Sequence, residues 1–267
     1  MKFTVHHPLQ ALILDMDGVL WRGAEAIGCL SAIFAEIARR GWKVTLATNN
    51  ATRSAAQYVE KLASFEVTIE PQQVVTSAEA TALYLREKFP QGGPVYLLGE
   101  EGLASAVEKA GFFPADDHCP DDSILAVISS MDRSLTYAKL RRATLLIRAG
   151  VPFLGTNPDR TFPTPEGLVP GAGAILAALE AATYRQPLIM GKPQPEIYRA
   201  ALLRMGVSPS ETLVVGDRPD TDIAGGQALG CFTALLLSGV TSEDCARAWQ
   251  PPPDLIAADL SSLLTLL

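Results

Sequence analysis

Apolar segments of strand length alternate with amphipathic segments of helix length along the 267-residue chain. Residues 11–15 (ALILD) and 43–50 (KVTLATNN) have the first pattern, and residues 29–41 (CLSAIFAEIARRG) have the second. The alternation returns at 211–217 (ETLVVGD) and 232–237 (FTALLL). Strands that alternate with helices pair in parallel, because each helix carries the chain back to the same end of the sheet. The sequence therefore predicts a doubly wound, Rossmann-like parallel sheet with helices on both faces, an α/β fold.

The middle of the chain has an alternation of its own, from PVYLLGE (94–100) to VPFLGTN (151–157). This part either extends the same sheet or forms a second α/β domain inserted into the first. We take the second interpretation and place the inserted domain at residues 78–185. Residues 1–77 and 186–267 would then form the core.

Charge and apolar patterning exclude several classes of partner. The formal net charge is −7, and no run of Lys and Arg is present, which argues against nucleic acid or an anionic membrane. No apolar run approaches 18 residues, and the first residues do not resemble a secretion signal. The four cysteines are widely scattered, as in proteins with reduced thiols. We therefore expect a soluble cytoplasmic protein whose partner is a small molecule.

Polar side chains follow the apolar strands, at the edge where an open parallel sheet binds its ligands. A single Asp at the end of a strand is common in proteins of any function. A functional site is indicated only because several polar residues follow the successive strands of this sheet. A further segment, LIMGKPQPEIY, places a lysine just before a helix that begins with proline. The candidate residues are Asp15, Asp17, Thr48, Asn49, Lys192, Asp217 and Asp222.

Carboxylates gathered in one pocket repel each other and need a cation. A set of oxygen ligands favours a hard ion such as Mg²⁺. Lys192 would then be available for a phosphate, and Thr48 and the backbone N–H groups around Gly18 and Asn49 would hold its other oxygens. One Asp would be the nucleophile and another the general acid.

Four segments resemble the motifs of the haloacid dehalogenase superfamily. DMDGVL resembles the first motif, DxDGxL, and LATNN resembles the second. Lys192 in GKPQPEIY resembles the third motif, and VVGDRPDTDIAGG resembles the fourth. GTNPDRTFPTPEGLVPGAGAI (155–175) is similar to a cap segment of subfamily IIA, the 4-nitrophenylphosphatase and phosphoglycolate phosphatase group. The resemblance covers nearly the whole chain.

The resemblance implies a role for each acid. Asp15 would attack phosphorus and form an aspartyl-phosphate, and Asp17 would protonate the leaving alcohol and then deprotonate the attacking water. Mg²⁺ would be held by the Asp15 carboxylate, the Asp17 backbone carbonyl and Asp217. Asp222 would not bind the ion directly but would support the residues that do. Thr48 and Lys192 would hold the transferred phosphoryl group.

We therefore predict a Mg²⁺-dependent phosphatase that hydrolyses small phosphomonoesters. The resembling group includes enzymes for 4-nitrophenyl phosphate, phosphoglycolate, nucleoside monophosphates, sugar phosphates and pyridoxal phosphate, and the sequence does not choose among these substrates. One alternative is a phosphotransferase that uses the same intermediate. Another is a non-catalytic module that binds a phosphorylated metabolite, against which the intact Asp17 argues, because a binder needs no general acid.

Discrimination among phosphate esters must come from residues other than those that recognise phosphate. We expect it from the inserted cap, in the loop 156–173, where Asn157, Asp159 and Arg160 supply polar groups. The alternative interpretation of residues 157–159 (NPD) is a simple turn. The number of subunits is open, and a homodimer formed through the cap is the assembly that we consider.

Overall fold

A computed structural model describes residues 9–116, 118–164 and 166–267. The strands in this part of the chain are β1 (Ala11–Leu14), β2 (Trp21–Arg22), β3 (Glu25–Ala26), β4 (Lys43–Thr48), β5 (Val74–Thr76), β6 (Gly93–Leu98), β7 (Phe112–Pro114), β8 (Val127–Ser129), β9 (Phe153–Gly155), β10 (Thr161–Thr164), β11 (Gly167–Pro170), β12 (Leu188–Ile189), β13 (Thr212–Gly216), β14 (Phe232–Leu236) and β15 (Leu255–Ala257).

The α-helices in the same ranges are α1 (Leu30–Arg39), α2 (Ala55–Ala63), α3 (Ser77–Lys88), α4 (Glu101–Lys109), α5 (Tyr137–Arg148), α6 (Ala172–Thr183), α7 (Pro195–Met205), α8 (Ala224–Leu229), α9 (Glu243–Ala248) and α10 (Leu260–Leu266). A π-helical segment at Pro219–Ile223 runs directly into α8. Among the helices described, none combines the length and the apolar character needed to cross a membrane.

The described residues divide into two compact units. The first contains residues 9–48, 55–75 and 192–267, and the second contains residues 49–54 and 76–191. The sequence-predicted insertion at 78–185 lies within the span of the second unit. Its boundaries, and its role as a cap, stay predictions.

The first unit is built on a six-stranded sheet with the strand order β15-β14-β13-β1-β4-β5. β1 lies near the centre and pairs in parallel with β13 on one side and β4 on the other. All four residues of β1 are buried, as expected for a strand with helices over both faces of its sheet. The predicted α/β fold with a parallel, Rossmann-like sheet is confirmed.

Helix α1 shows how the sequence pattern produces this packing. Leu30, Ile33 and Ile37 recur on one face of the helix and are buried in the core of the first unit. Burial of each such side chain contributes about 1.5–3 kcal/mol to the stability of the fold. The chain leaves the helix at Gly41, whose φ of +72° is one that glycine adopts without strain.

The second unit has its own parallel sheet, with the order β12-β9-β8-β6-β7. Neighbouring residues of β6 belong to different apolar clusters, since Val95 packs on one face of the sheet and Tyr96 on the other. Val127 and Ile128 of β8 divide in the same way. Side chains alternate along a strand, so each face of this sheet has an apolar cluster of its own.

Candidate active site

Two neighbouring strands of the first unit end at the two acids that begin the candidate site. β1 and β13 are in parallel register, with Leu14 opposite Val215. The backbone N–H of Asp15 donates to the carbonyl of Val215 at 2.9 Å, which continues the pairing by one residue. Asp217 follows the last residue of β13. The sheet therefore delivers Asp15 and Asp217 to the same carboxyl-terminal edge.

A third acid and a lysine complete a charged cluster at this edge. One carboxylate oxygen from each of Asp15, Asp217 and Asp222 lies within 4.8 Å of the other two. The Nζ atom of Lys192 lies 2.6 Å from Oδ1 of Asp15 and 2.7 Å from Oδ1 of Asp222. The Lys192 side chain is only 4% exposed. The structure thus brings together four of the residues that the sequence nominated.

Burial shifts the ionisation of all four groups. It raises the pKa of Asp15 to about 6, although Lys192 acts in the opposite direction. Burial also raises the pKa values of Asp217 and Asp222 to about 6 each. Burial acts to lower the pKa of Lys192, but the charges of Asp15 and Asp222 outweigh it, so this pKa is raised. The lysine therefore stays charged, while the acids lack enough positive charge around them.

Glycines allow the backbone to approach Asp217 closely. A Cβ atom on Gly18, which has a φ of +82°, would lie 2.5 Å from Oδ2 of Asp217, and one on Gly239 would overlap the same side chain. The backbone N–H of Val240 donates to Oδ2 of Asp217 at 2.9 Å. Residues 239–240 were not among the residues predicted from the sequence. A glycine soon after β14, another strand of the same sheet, is the signal that could have indicated them.

The loop after β1 holds Gly18 and Asp17 in different ways. The N–H of Gly18 donates to the carbonyl of Trp21 at 2.8 Å, and its carbonyl accepts from the hydroxyl of Ser238 at 2.7 Å. Asp17 is exposed and accepts a hydrogen bond from the indole of Trp21. Trp21 and Ser238 were not nominated by the sequence. The role of Gly18 as a phosphate ligand stays a prediction.

The predicted specificity residues are connected to Asn49 inside the second unit. The carbonyl of Asn49 accepts from Nδ2 of Asn157 at 2.8 Å, and its side-chain amide donates to Oδ2 of Asp159 at 3.4 Å. Oδ1 of Asn157 accepts from the N–H of Asp159 at 3.1 Å. Arg160 is exposed, whereas Thr48, the last residue of β4 in the first unit, is buried.

The fold and the charged cluster define an α/β protein with carboxylates and a lysine at the carboxyl edge of a parallel sheet. Residues 12–113 match the family model described as haloacid dehalogenase-like hydrolase, and residues 189–263 match a second model of HAD-like hydrolases. An acid sugar phosphatase of Staphylococcus aureus is 36% identical over 255 residues, which is 96% of each chain.

Solved structures agree with these matches. A p-nitrophenyl phosphatase from Archaeoglobus fulgidus superimposes with a TM-score of 0.90 at 29% identity, covering 98% of this chain and 100% of that one. A glycerol phosphate phosphatase from Mycobacterium tuberculosis, solved with magnesium, has a TM-score of 0.88 at 33% identity. The match covers 98% of this chain and 78% of that one. The chain belongs to the haloacid dehalogenase-like hydrolases, and the prediction of subfamily IIA is confirmed.

Proposed function

We propose that the protein hydrolyses small phosphate monoesters in two steps, through an aspartyl-phosphate, an acyl phosphate formed on Asp15. As a haloacid dehalogenase-like phosphatase, it is a phosphoric monoester hydrolase. The observation that carries the mechanism is the ion pair between Lys192 and Asp15 within a cluster of buried acids. The ammonium group orients the nucleophile and attracts the anionic substrate.

In the first step a carboxylate oxygen of Asp15 attacks phosphorus, and the bond between phosphorus and the ester oxygen breaks. Asp17, in its protonated form, gives its proton to the departing alcohol oxygen. Asp17 is exposed, whereas Asp15 has a side chain only 12% exposed, so the two acids occupy different environments. Such a difference suits one acid to nucleophilic attack and the other to proton exchange.

In the second step a water molecule attacks phosphorus and passes its proton to Asp17. The bond between phosphorus and the Asp15 oxygen breaks, which releases inorganic phosphate and restores both acids. We propose that the phosphoryl oxygens are bound by Lys192, Thr48, Gly18 and Asn49. The acceptor is water, so the reaction is hydrolysis rather than transfer to a second alcohol.

The charged cluster fits a magnesium ion. Three carboxylates and one ammonium group leave two negative charges unbalanced among these four residues, and the three acids present oxygen ligands within 4.8 Å of one another. Asp15, Asp217 and the backbone carbonyl of Asp17 would hold Mg²⁺, and Asp222 would support it. When bound, the ion neutralises negative charge that develops on the phosphoryl oxygens.

The names of the relatives guide the choice of substrates. Relatives are described as acting on sugar phosphates, glycerol phosphate and p-nitrophenyl phosphate. We propose phosphate esters of small sugars and polyols as the substrate class, with phosphoglycolate and nucleoside monophosphates as further candidates. The acidic chain supports a small-molecule partner rather than nucleic acid. We also propose a cytoplasmic location, tested by cell fractionation, and a homodimer through the cap, tested by light scattering.

Trapping the phosphorylated intermediate tests the mechanism. Asp17→Asn should lower the rate of hydrolysis about 10²–10⁴-fold. Acid-quenched protein of this variant, digested and measured by mass spectrometry, should carry phosphate on Asp15. Asp15→Asn should form no phosphoprotein. Wild-type rates in Asp15→Asn would refute the assignment of the nucleophile.

A further inference from the structure

The indole of Trp21 is hydrogen-bonded to the candidate general acid. Its Nε1 atom donates to Oδ1 of Asp17 at 2.8 Å. Trp21 is completely buried, whereas Asp17 is exposed. The two residues meet because the chain turns back between them, with the N–H of Gly18 donating to the carbonyl of Trp21 and the N–H of Trp21 donating to Met16. The exposed carboxylate of Asp17 is thereby hydrogen-bonded to the buried ring of Trp21.

The ring that donates this bond is held by its neighbours. Trp21 stacks against Tyr58, with ring centroids 6.4 Å apart and an interplanar angle of 11°, and against Phe65 at 6.2 Å and 29°. The Nζ atom of Lys61 lies 3.8 Å from the centroid of the Trp21 ring and donates to the carbonyl of Gly23 at 3.0 Å. Aromatic packing and a cation over the ring fix the direction of its N–H.

We propose that Trp21 is a positioning residue that selects which oxygen of Asp17 exchanges the proton during hydrolysis. An indole N–H can only donate, so Oδ1 of Asp17 acts as its acceptor. The proton that moves to the leaving alcohol, and later comes from water, is then carried by Oδ2. This inference rests on the proposed role of Asp17 as general acid and base.

The hydrogen bond satisfies a buried donor and also restrains an exposed acceptor. The chain contains another buried indole nitrogen, that of Trp249, which has no hydrogen-bond partner among residues 9–116, 118–164 and 166–267. Position 249 therefore offers an indole for comparison whose N–H makes no hydrogen bond to the described residues. What Asp17 gains from Trp21 is a fixed orientation, which an exposed side chain would otherwise lose to rotamer freedom. Proton transfer depends on this orientation, because the acid must lie within hydrogen-bond reach of the leaving oxygen.

The test compares leaving groups that differ in their need for a proton. Trp21→Phe keeps an aromatic ring and removes the N–H, and benzothienylalanine at position 21 removes the N–H while keeping the bicyclic shape. Both variants should lose about tenfold in kcat/KM for the best alkyl phosphate substrate. They should lose much less for 4-nitrophenyl phosphate, whose leaving group departs without protonation. An equal loss on both substrates, or no loss, would show that Trp21 only packs.

Trp249→Phe is the matched control, because it makes the same change at an indole that donates no hydrogen bond within the described part of the chain. Its ratio of alkyl to aryl phosphate hydrolysis should equal that of the wild type. Thermal unfolding of all variants separates lost stability from lost positioning.

A double-mutant cycle separates this inference from the mechanism on which it depends. In the Asp17→Asn background, Trp21→Phe should lower the rate no further, because the acid that it positions is already gone. If Asp17→Asn is slow but Trp21→Phe keeps the wild-type ratio of substrates, the positioning role alone is wrong. If Asp17→Asn keeps wild-type rates, both the positioning role and the acid–base assignment are wrong.

Discussion

The Nζ atom of Lys192 lies 2.6 Å from Oδ1 of Asp15, and both side chains are largely removed from solvent. The candidate nucleophile is thus paired with a cation before any substrate arrives. Burying two charges costs several kcal/mol per ion, and their attraction repays it when the geometry is good. Asp222, which also contacts the ammonium group, makes the lysine a shared counter-ion for two acids.

Removing this counter-ion should destabilise the fold in a pH-dependent way. Lys192→Met leaves Asp15 and Asp222 buried without it, and the loss of one partner from a buried ion pair costs about 3–5 kcal/mol. The loss should be largest at pH 8, where both acids must ionise, and should shrink at pH 5, where protons can replace the lysine. Urea unfolding at the two pH values measures the difference.

Lys43→Met is the control for this experiment. Lys43 is exposed and donates to the uncharged carbonyl of Met205, so its removal should cost the same at both pH values. An equal cost for Lys192→Met at pH 5 and pH 8 would contradict the proposed counter-ion role.

The raised pKa values also predict how pH and Mg²⁺ act together. The pKa values of Asp15, Asp217 and Asp222 lie near 6 in the folded protein, above their ordinary value of 3.8. At pH values between 3.8 and about 6, these three acids bind more protons in the folded protein than in the unfolded chain. The contribution of the three acids to stability therefore falls as pH rises from about 4 to about 6 in metal-free protein.

Mg²⁺ should reverse this loss, because it binds the ionised acids. The rise in Tm caused by Mg²⁺ should be small at pH 5 and larger at pH 8. Differential scanning calorimetry with EDTA and with Mg²⁺ measures it, and Asp217→Asn should abolish most of the rise. A rise that is independent of pH would show that the ion binds elsewhere.

The sequence predicted the fold because burial leaves a pattern in both kinds of element. β1 is covered on both faces and so is apolar throughout, and α1 is covered on one face and so repeats Leu30, Ile33 and Ile37 at helical spacing. Asp15 and Asp217 were predictable as neighbours for a similar reason. Each follows a parallel strand, and parallel strands end at the same edge.

The contacts made by loops were not predictable. Gly239 and Val240 follow β14 and lie against Asp217, which follows β13. The parallel strands bring both segments to one edge of the sheet, but the sequence does not specify which loop atoms meet there. The bond between Trp21 and Asp17 depends on the turn between them. Asn157, nominated for substrate contact, makes internal hydrogen bonds with Asn49 and Asp159 that its residue type alone does not reveal.

Substituting Gly18 tests the close packing around Asp217. Gly18→Ala places a methyl group 2.5 Å from Oδ2 of Asp217, at a φ of +82°. Displacing Asp217 by a fraction of an ångström to 1 Å should lower kcat/KM by up to about a hundredfold. The Mg²⁺ concentration that gives half-maximal activity should rise as well, and a titration at saturating substrate measures it.

Gly41→Ala is matched to this substitution in backbone conformation. Gly41 has a φ of +72°, and a Cβ atom there would meet nothing within 4 Å. Both variants should lose about 1 kcal/mol of stability from the left-handed backbone. Only Gly18→Ala should lose activity, and an equal loss of activity in Gly41→Ala would mean that backbone strain, rather than contact with Asp217, is responsible.

Among the predicted specificity residues, Asn157 and Arg160 differ in their exposure to solvent. Asn157 is buried, and its amide and carbonyl groups bond to the backbone of Asn49 and Asp159. Arg160 is exposed. A buried residue with internal partners supports the loop, whereas an exposed guanidinium group can contact part of a substrate.

Substitutions in this loop should therefore have different effects on substrate ranking. Arg160→Ala should change the order of kcat/KM values across a panel of sugar, polyol and aryl phosphates, while the rise in Tm caused by Mg²⁺ stays at its wild-type value. Asn157→Ala should cost about 1–3 kcal/mol of stability, because it leaves the Asn49 carbonyl without one of its donors. It should also lower the kcat/KM values for all substrates by a similar factor. Asp159→Ala should resemble Asn157→Ala more than Arg160→Ala, since Asp159 accepts from the Asn49 side chain. Arg185→Ala, an exposed arginine of the same unit outside residues 156–173, serves as the control. If Arg160→Ala keeps the wild-type order of substrates, specificity is determined by other residues and the loop has a structural role.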